Sequence, residues 1–512
     1  MSDRPVTLVW TTAPSREVDG IARVLGPAYS LLPERRATIS RVWLDTFDWR
    51  LREAGVDLEH RQGGGRSLTL RDGDGQVTVG RISALRWPAL VDDLPAGSLR
   101  DRLRAVAGIR ALMPVAEART AVREVAIRND DAKTVARLTL ERSAGDPRGP
   151  IRMVIAPLRG YAADTTRIVA LLSRVPGIAD GARSAYDDAV AAHPLRALDV
   201  PTHERGSVSP ALAAPAAIAG VLLQFATTIA ENVEGVTADV DTEFLHDLRV
   251  AVRRTRSVLK LTGDVLPGGL ADRFGPEFRR LGDLTTPTRD LDVYLLGLPE
   301  LARRLRSARP ADLAPLADDL RRRRRGALRG LVRALRSARF AQLQADWREA
   351  LTDPAVSAGP EIDLAELADQ RVRRAYRRVR RQGLAIGPAS ADEELHTLRK
   401  RCKELRYLLE IFAPMHDRSQ SKYVGRELKR LQDSLGAFQD ASVQREATRT
   451  FAEQIVAEGS APAATVLAMG ELMAHLDADH ESARVESVEL IERFDGADVG
   501  RRIRALSDRV AG

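Results

Sequence analysis

Cysteine is almost absent. The chain of 512 residues holds one, Cys402, which excludes an internal disulfide framework and any cysteine-rich zinc site. Aromatic residues make up 4%, so the apolar burden falls on Ala, Leu and Val, a balance that favours helices. No stretch reads as a continuous apolar run of the roughly 18 residues a spanning helix needs. The longest candidate, Ala211 to Ala230, is rich in Ala and leads straight into polar sequence. The opening residues, MSDRPVTLVW, lack a basic segment followed by an apolar core, so no signal peptide is expected and the cytoplasm is the expected location. Phosphate loops of the Gly-x-x-x-x-Gly-Lys-Ser/Thr kind are missing. So are the Gly-x-Gly-x-x-Gly fingerprint, HExxH, a serine nucleophile elbow and an evident Cys/His pair. Gly63-Gly64-Gly65 has no helix pattern after it and reads as a loop. No cofactor and no metal site is expected.

What is present is a large, basic, ordinary globular composition. The length implies two or three domains, and the apolar fraction of 44% suits a packed core. There are 79 Lys+Arg against 71 Asp+Glu, a formal charge of +8. Most of these cations are arginine, which stays charged and pairs well with phosphate. The excess is local, with 22 Lys/Arg against 13 Asp/Glu between residues 241 and 340. Phosphate-bearing partners are therefore expected.

Residues 1–195 read as α+β. Strand-like runs occur at Ser67–Arg71, Gln76–Ile82, Ala121–Arg128, Thr134–Arg142 and Ile151–Leu158. Asp72-Gly73-Asp74-Gly75 and Asn129-Asp130-Asp131 supply turns between neighbours, which implies an antiparallel sheet. Helical pieces are expected at Ser98–Val106 and Thr165–Leu172. A linker follows at 196–210, rich in Pro and Gly. From 211 to 510 only helical periodicity is left, at Ala211–Val233, Thr242–Thr262, Leu291–Ala308, Leu313–Ala338, Leu364–Arg381, Ala391–Phe412, Tyr423–Leu435 and Val443–Ala457. Pro267, Pro276, Pro310, Pro354, Pro388, Pro414 and Pro462 punctuate these helices at or near their ends. Asp241 and Ser390 are the expected N-caps of the second and sixth.

Those two helices carry the chemistry. One reads His246-x2-Arg249-x3-Arg253-x2-Arg256, the other His396-x2-Arg399-x3-Lys403-x2-Arg406. Offsets of 0, 3, 7 and 10 fall at about 0°, 300°, 340° and 280° around a helix, so each set forms one narrow ridge. Apolar residues lie beside each ridge: Leu245, Leu248, Val252 and Leu259, then Leu395, Leu398, Cys402, Leu405 and Leu409. Each helix can pack while presenting cations, and a cationic ridge made twice suits a polyanion. The match continues at an unchanged offset of 150. Leu281 pairs with Leu431, Asp283 with Asp433, Asp290 with Asp440, Val293 with Val443 and Arg279-Arg280 with Lys429-Arg430. This marks an internal duplication, with repeats at about 211–350 and 361–510.

Several roles stay open on the residues alone. Each histidine is a fourth cation beside bound phosphate, a structural hydrogen-bonding group, or a metal ligand with Asp290, Asp440 or Asp292. Asp290 and Asp440 serve as an acid/base pair or as partners that orient arginine. The run Arg321–Arg325 is a solvated outer face or a ligand contact.

The segments His246-Asp-Leu-Arg-Val-Ala-Val-Arg-Arg-Thr-Arg256, Thr288-Arg-Asp-Leu-Asp-Val293, Leu395-His-Thr-Leu-Arg-Lys-Arg-Cys-Lys-Glu-Leu-Arg-Tyr407 and Leu431-Gln-Asp-Ser-Leu-Gly436 resemble a CHAD domain, the conserved histidine α-helical domain. The resemblance implies two pseudo-symmetric helical bundles around a basic channel that binds inorganic polyphosphate. The residues expected there are His246, Arg249, Arg253, Arg254, Arg256, Lys260, Arg279, Arg280, Arg289, His396, Arg399, Lys400, Lys403, Arg406, Tyr407, Lys429 and Arg430.

The N-terminal part resembles a CYTH domain of the triphosphate tunnel metalloenzymes. That likeness rests on Trp43-Leu-Asp-Thr-Phe-Asp-Trp-Arg-Leu-Arg-Glu-Ala-Gly-Val56 and Leu68-Thr-Leu-Arg71. It implies an antiparallel β tunnel or barrel. The family's Glu-x-Glu-x-Lys strand, which supplies hard oxygen ligands for Mg²⁺ or Mn²⁺, is missing. The opening strand here is Val6-Thr-Leu-Val-Trp-Thr-Thr12, and Ile151–Leu158 holds no carboxylate either. Arg61, Arg71, Arg81 and Arg123 remain to line a tunnel. The expected function is polyphosphate binding without catalysis, with association to polyphosphate granules. Alternatives are a metal-dependent triphosphatase and a nucleic-acid-binding protein. The last lacks stacking aromatics, since only Tyr407 adjoins a motif.

Overall fold

The computed structural model describes residues 5–12, 17–62, 66–72, 77–82, 85–146, 148–181, 184–192, 206–357, 362–459 and 462–507. The chain divides into two units, Met1–Pro201 and Thr202–Gly512. Of the expected linker, residues 196–205 lie outside the described residues, as do the glycines 63–65 and residues 73–75 of the first expected hairpin turn.

The first unit is built on ten strands: β1 Val6–Trp10, β2 Ser30–Asp45, β3 Asp57–Gln62, β4 Arg66–Arg71, β5 Val77–Arg81, β6 Ala89–Leu90, β7 Ala111–Arg128, β8 Thr134–Ser143, β9 Ile151–Pro157 and β10 Ile178–Asp180. They form one sheet in the order β10-β1-β9-β8-β7-β2-β3-β4-β5, with β6 paired to β7 off that path. Every described pairing is antiparallel. The antiparallel sheet expected of a tunnel fold is present; it is not closed into a barrel, since β10 and β5 are its edges and no ladder joins them among the described residues. Helices α1 Glu17–Leu25, α2 Arg50–Glu53, α3 Ser98–Ala107, α4 Ala162–Leu172 and α5 Ala185–Ala192 complete the unit. Three apolar clusters hold it. One places Ile21 and Ile168 of α1 and α4 against Leu138, Met153 and Ile155. A second packs Leu99 and Leu103 of α3 on Leu58, Leu68 and Leu70. The third seats Tyr186, Ala189 and Val190 of α5 on Trp43, Val115 and Ala116.

The second unit is all helical: α6 Ala214–Thr237, α7 Thr242–Thr262, α8 Leu270–Arg303, α9 Ala314–Leu335, α10 Ala338–Thr352, α11 Pro354–Ser357, α12 Leu364–Gly383, α13 Asp392–Ile411, α14 Arg418–Ala457, α15 Ala463–Asp495 and α16 Ala497–Arg504. The duplication is visible in the starts. Helices α6 and α12 begin 150 residues apart, and so do α7 and α13. The start of α9 lies 149 residues before that of α15. Each repeat is thus a set of four helices with shorter ones added after the fourth.

Several expectations need correction. Pro276 does not end a helix; it lies inside α8 together with Pro287 and Pro299. The two expected helices at 423–435 and 443–457 are one, α14, of 40 residues. Residues 206–208 of the expected linker are packed: Val208 is buried and its N–H donates to Ile411 O at 2.9 Å. Among the described residues one helix, α6, is long and apolar enough to cross a membrane by length and composition, with half of its apolar window buried. It packs against α7 and α10.

Candidate anion-binding site

The two motif helices are fixed by caps and by buried stripes. Asp241 caps α7, accepting from Glu243 N at 2.9 Å and Phe244 N at 3.2 Å. Helix α13 starts one residue later than expected: Ala391 is its N-cap, and the Ala391 N–H donates to Glu394 Oε2 at 2.9 Å. Ser390 lies outside, its Oγ accepting from Gly387 N. All nine apolar residues expected beside the ridges are buried. The ridges therefore sit at the margin of the packing. His246, Arg249, His396, Arg399 and Lys403 are half-buried, whereas Arg253, Arg256 and Arg406 are exposed.

The helices of the two repeats meet. Arg254 Nη2 reaches Glu410 Oε2 at 2.9 Å, and Lys260 Nζ is bonded to Glu404 Oε1. As numbering rises along α7 it falls along α13, so the crossing is antiparallel. Positions 254 and 404 correspond in the duplication, as do 260 and 410. The two ion pairs are therefore mates under one pseudo-twofold relation, with cations on repeat 1 and anions on repeat 2. Arg254 and Lys260, expected on the ligand, have their partners within the protein.

This crossing brings the ridges together. Burial pushes the Lys403 ammonium down to about 8, and Arg399 of its own helix with Arg253 and Arg249 of the other repeat add to the shift; Asp440 opposes it. No ion pair of Lys403, Arg253 or Arg256 occurs among the described residues. The Arg249 guanidinium is also lowered, by burial first and by Arg253, Arg289 and Arg256, with Asp290 opposing. Arg249 Nη1 is held by three acceptors on α8: Gly282 O at 3.1 Å, Thr285 Oγ1 at 3.0 Å and Thr286 Oγ1 at 2.6 Å. A Cβ on Gly282 would stand 2.9 Å from Arg256 Nη1, so Gly282 lets that cation lie close to α8. Repeat 2 is held differently. Arg399 Nη2 donates to Asp440 Oδ1 at 3.3 Å, and Arg406 meets Glu410 at 2.6 Å and Gln432 at 3.4 Å. The result is a partly desolvated cluster of Arg249, Arg253, Arg256, Arg399 and Lys403 with few carboxylates near it.

The other expected residues sort by partner. Arg289 donates to Thr242 O at 3.3 Å. Arg280 pairs with Glu277, Lys400 with Glu393, Lys429 with Asp433 and Arg430 with Glu427. Arg279 is exposed. Tyr407 is 7% exposed and packs in the interior rather than facing a ligand. His396 Nδ1 is hydrogen-bonded to Gln439 Oε1. No group of three His, Cys, Asp or Glu able to hold a metal occurs among the described residues, and Asp292 is engaged by Arg324. Asp440 orients an arginine, and burial raises Asp290 while Arg249 and Arg289 lower it. The run on α9 is mostly paired: Arg321 with Asp318, Arg322 and Arg323 with Asp319, and Arg324 with Asp239 and Asp292. Sequence reasoning missed Thr285, Thr286, Glu404 and Glu410. Opposite charges at positions related by the duplication could have pointed to the last two.

In the first unit the register sets Arg41 opposite Arg61, Trp43 opposite Glu59, Arg71 opposite Asp57 and Glu141 opposite Arg152. These residues share one face, the face that α5 covers at Trp43. Arg41 Nε lies 3.2 Å from Glu59, and its Nη1 donates to Glu141 at 3.1 Å. Arg71 meets Glu59 at 2.8 Å and Asp57 at 3.1 Å. Arg123 pairs with Glu17 at 3.3 Å. Burial and Arg41 lower the Arg61 guanidinium, against Glu59, Glu141 and Glu124. Asp45 of the motif stretch is structural: it accepts from Thr46, Leu51 and Arg52 N at 2.7–3.0 Å and so shapes the turn into α2.

An uncharacterized protein of Mycobacterium tuberculosis, Rv2226, is 33% identical over 212 residues, 40% of this chain and 39% of that protein. The crystal structure of the CHAD domain from the plant Ricinus communis is similar at 21% identity, covering 59% of this chain and 96% of that one with a TM-score of 0.47. An X-ray structure from Vibrio parahaemolyticus is similar at 12% identity, covering 37% and 98% with a TM-score of 0.24. The family model described as CHAD domain matches residues 220–449, the span that holds both ridges and their crossing: this chain carries a CHAD domain.

Proposed function

We propose that the helical unit binds inorganic polyphosphate at the crossing of α7 and α13, without catalysis, and that this binding associates the protein with polyphosphate granules. CHAD membership supports a polyphosphate-related role in general. The observation that carries the finer reading is the environment of Lys403, which is half-buried among Arg399, Arg253 and Arg249 of both repeats. Like charges gathered in partial desolvation repel one another, and a polyanion lying across them relieves that repulsion. Displaced counterions add affinity, so binding weakens with salt. The test is titration of the full chain with long-chain polyphosphate, duplex DNA and tripolyphosphate, with and without Mg²⁺. Polyphosphate bound well ahead of DNA, independently of Mg²⁺, is the expected result. Equal affinity for DNA would reject the reading.

A further inference from the structure

The site above uses α7, α8, α13 and α14, yet another basic face lies on α12. That helix carries seven arginines. Three are engaged: Arg371 by Asp264, Arg373 by Asp369 and Arg380 by Asp495. The other four, Arg374, Arg377, Arg378 and Arg381, meet no carboxylate among the described residues. Taken from Arg374 they fall at about 0°, 300°, 40° and 340°, one face with about 10 Å of rise. Arg374, Arg377 and Arg381 are exposed and Arg378 is half-buried. The opposite stripe, Ala368, Val372, Tyr376 and Val379, is buried.

Such a strip opposes the helix that bears it, because arginines three and four apart repel. The duplication does not require it: the matching positions on α6 are Gln224, Thr227, Thr228 and Glu231. Packing does not require it either, since the strip faces solvent. Its place is informative, for α12 packs along α13, the helix that carries the second ridge.

We infer that the α12 strip is a second contact for phosphate chains, engaged by a polyphosphate that extends beyond the α7/α13 crossing. This rests on the polyphosphate reading above. Guanidinium groups in a row suit successive phosphates. The strip offers no exposed aromatic for stacking a base, and a single exposed apolar residue at its end, Leu384, is too little for entering a lipid surface. Two linked contacts on one chain raise affinity only for ligands long enough to reach both.

The test uses the full chain with Arg374, Arg377 and Arg381 changed together to Glu, and separately to Gln should the first variant melt early. Long-chain polyphosphate should lose about tenfold or more in affinity, while tripolyphosphate, too short to leave the crossing, keeps wild-type affinity. The control is Arg325, Arg329 and Arg333 on α9 changed to Glu, the same charge change on exposed residues spread over a longer rise on a helix packed against α8. An equal loss in the control, or unchanged long-chain affinity in the α12 variant, overturns the inference and leaves the crossing site standing. Loss of tripolyphosphate as well would make the strip part of the first site. Loss of DNA or anionic-vesicle binding alone would assign it to another partner. A wild-type chain that binds neither polyphosphate rejects both readings.

Discussion

At the scale of single residues, the centre of the site is set by Lys403 and Arg253, one from each repeat. Changing either to Glu removes one attraction and adds one repulsion. A charge pair at about 4 Å is worth roughly 1 kcal/mol in water and more where solvent is partly excluded. Each reversal should weaken polyphosphate binding about tenfold or more and reduce the salt slope, whereas Arg333→Glu on exposed α9 should change little. Equal losses at all three positions would mean diffuse attraction. Lys403 also predicts a pH dependence. Its folded value, about 8, lies below its ordinary value of 10.5. The unfolded chain therefore holds more protons between those values, and this group makes the free protein more stable as pH rises through that window. Binding runs the other way, because phosphate needs the ammonium. Affinity should fall as pH rises above about 8, and Lys403→Arg should flatten that fall between pH 7 and 9. The ridges were legible because four residues at helical spacing must share a face. The depressed ammonium was not, since beside Arg399 it depends on burial at the crossing and on Arg253 and Arg249, 150 and more residues away in sequence.

At the scale of elements, the antiparallel crossing of α7 and α13 decides whether the two ridges form one site. Its two ion pairs are unequal in setting. Glu404 is 9% exposed and Glu410 is half-buried, and a removed partner costs more where the remaining group is desolvated. Glu404→Gln should therefore lower stability by about 1 kcal/mol, Glu410→Gln by less. Chemical denaturation checks this, and a larger effect at Glu410 would contradict it. Periodicity predicted α7 to the residue and α13 to within one at each end, because each has a clean buried stripe and a sharp start. It missed β2 and α15. The outer half of β2, Ser30–Thr38, is mostly exposed, so no alternation marks it. In α15 the buried face keeps helical spacing but includes Thr465, His480 and Ser487, which interrupt its apolar pattern. In the arginine run of α9, Asp318 and Asp319 lie one turn back on the same helix, whereas the partners of Arg324, Asp239 and Asp292, come from a turn and from α8, which spacing does not show.

At the scale of the whole chain, a duplicated helical unit and a sheet unit share one polypeptide, and their polar interiors differ in kind. At the α7/α13 crossing the helical unit gathers Lys403, Arg253 and Arg256 without an ion pair among the described residues. In the sheet unit, cations and anions are matched: Glu59 faces both Arg41 and Arg71, and Glu141 holds Arg41. A divalent cation active on triphosphate needs several free hard oxygen ligands. Strand β1, Val6–Trp10, contributes none, and freeing Glu59 would break its pairs with the buried Arg41 and with Arg71, which is costly at the buried one. The resemblance at Trp43–Val56 is explained by architecture instead, since Asp45 organises the backbone at α2. The full chain should therefore hydrolyse tripolyphosphate or ATP no faster than the uncatalysed background in Mg²⁺ or Mn²⁺, measured by phosphate release over hours. Metal-dependent turnover that Arg71→Ala abolishes in a still-folded chain would show that the carboxylates exchange their arginine partners for metal, and the sheet unit would then be an enzyme.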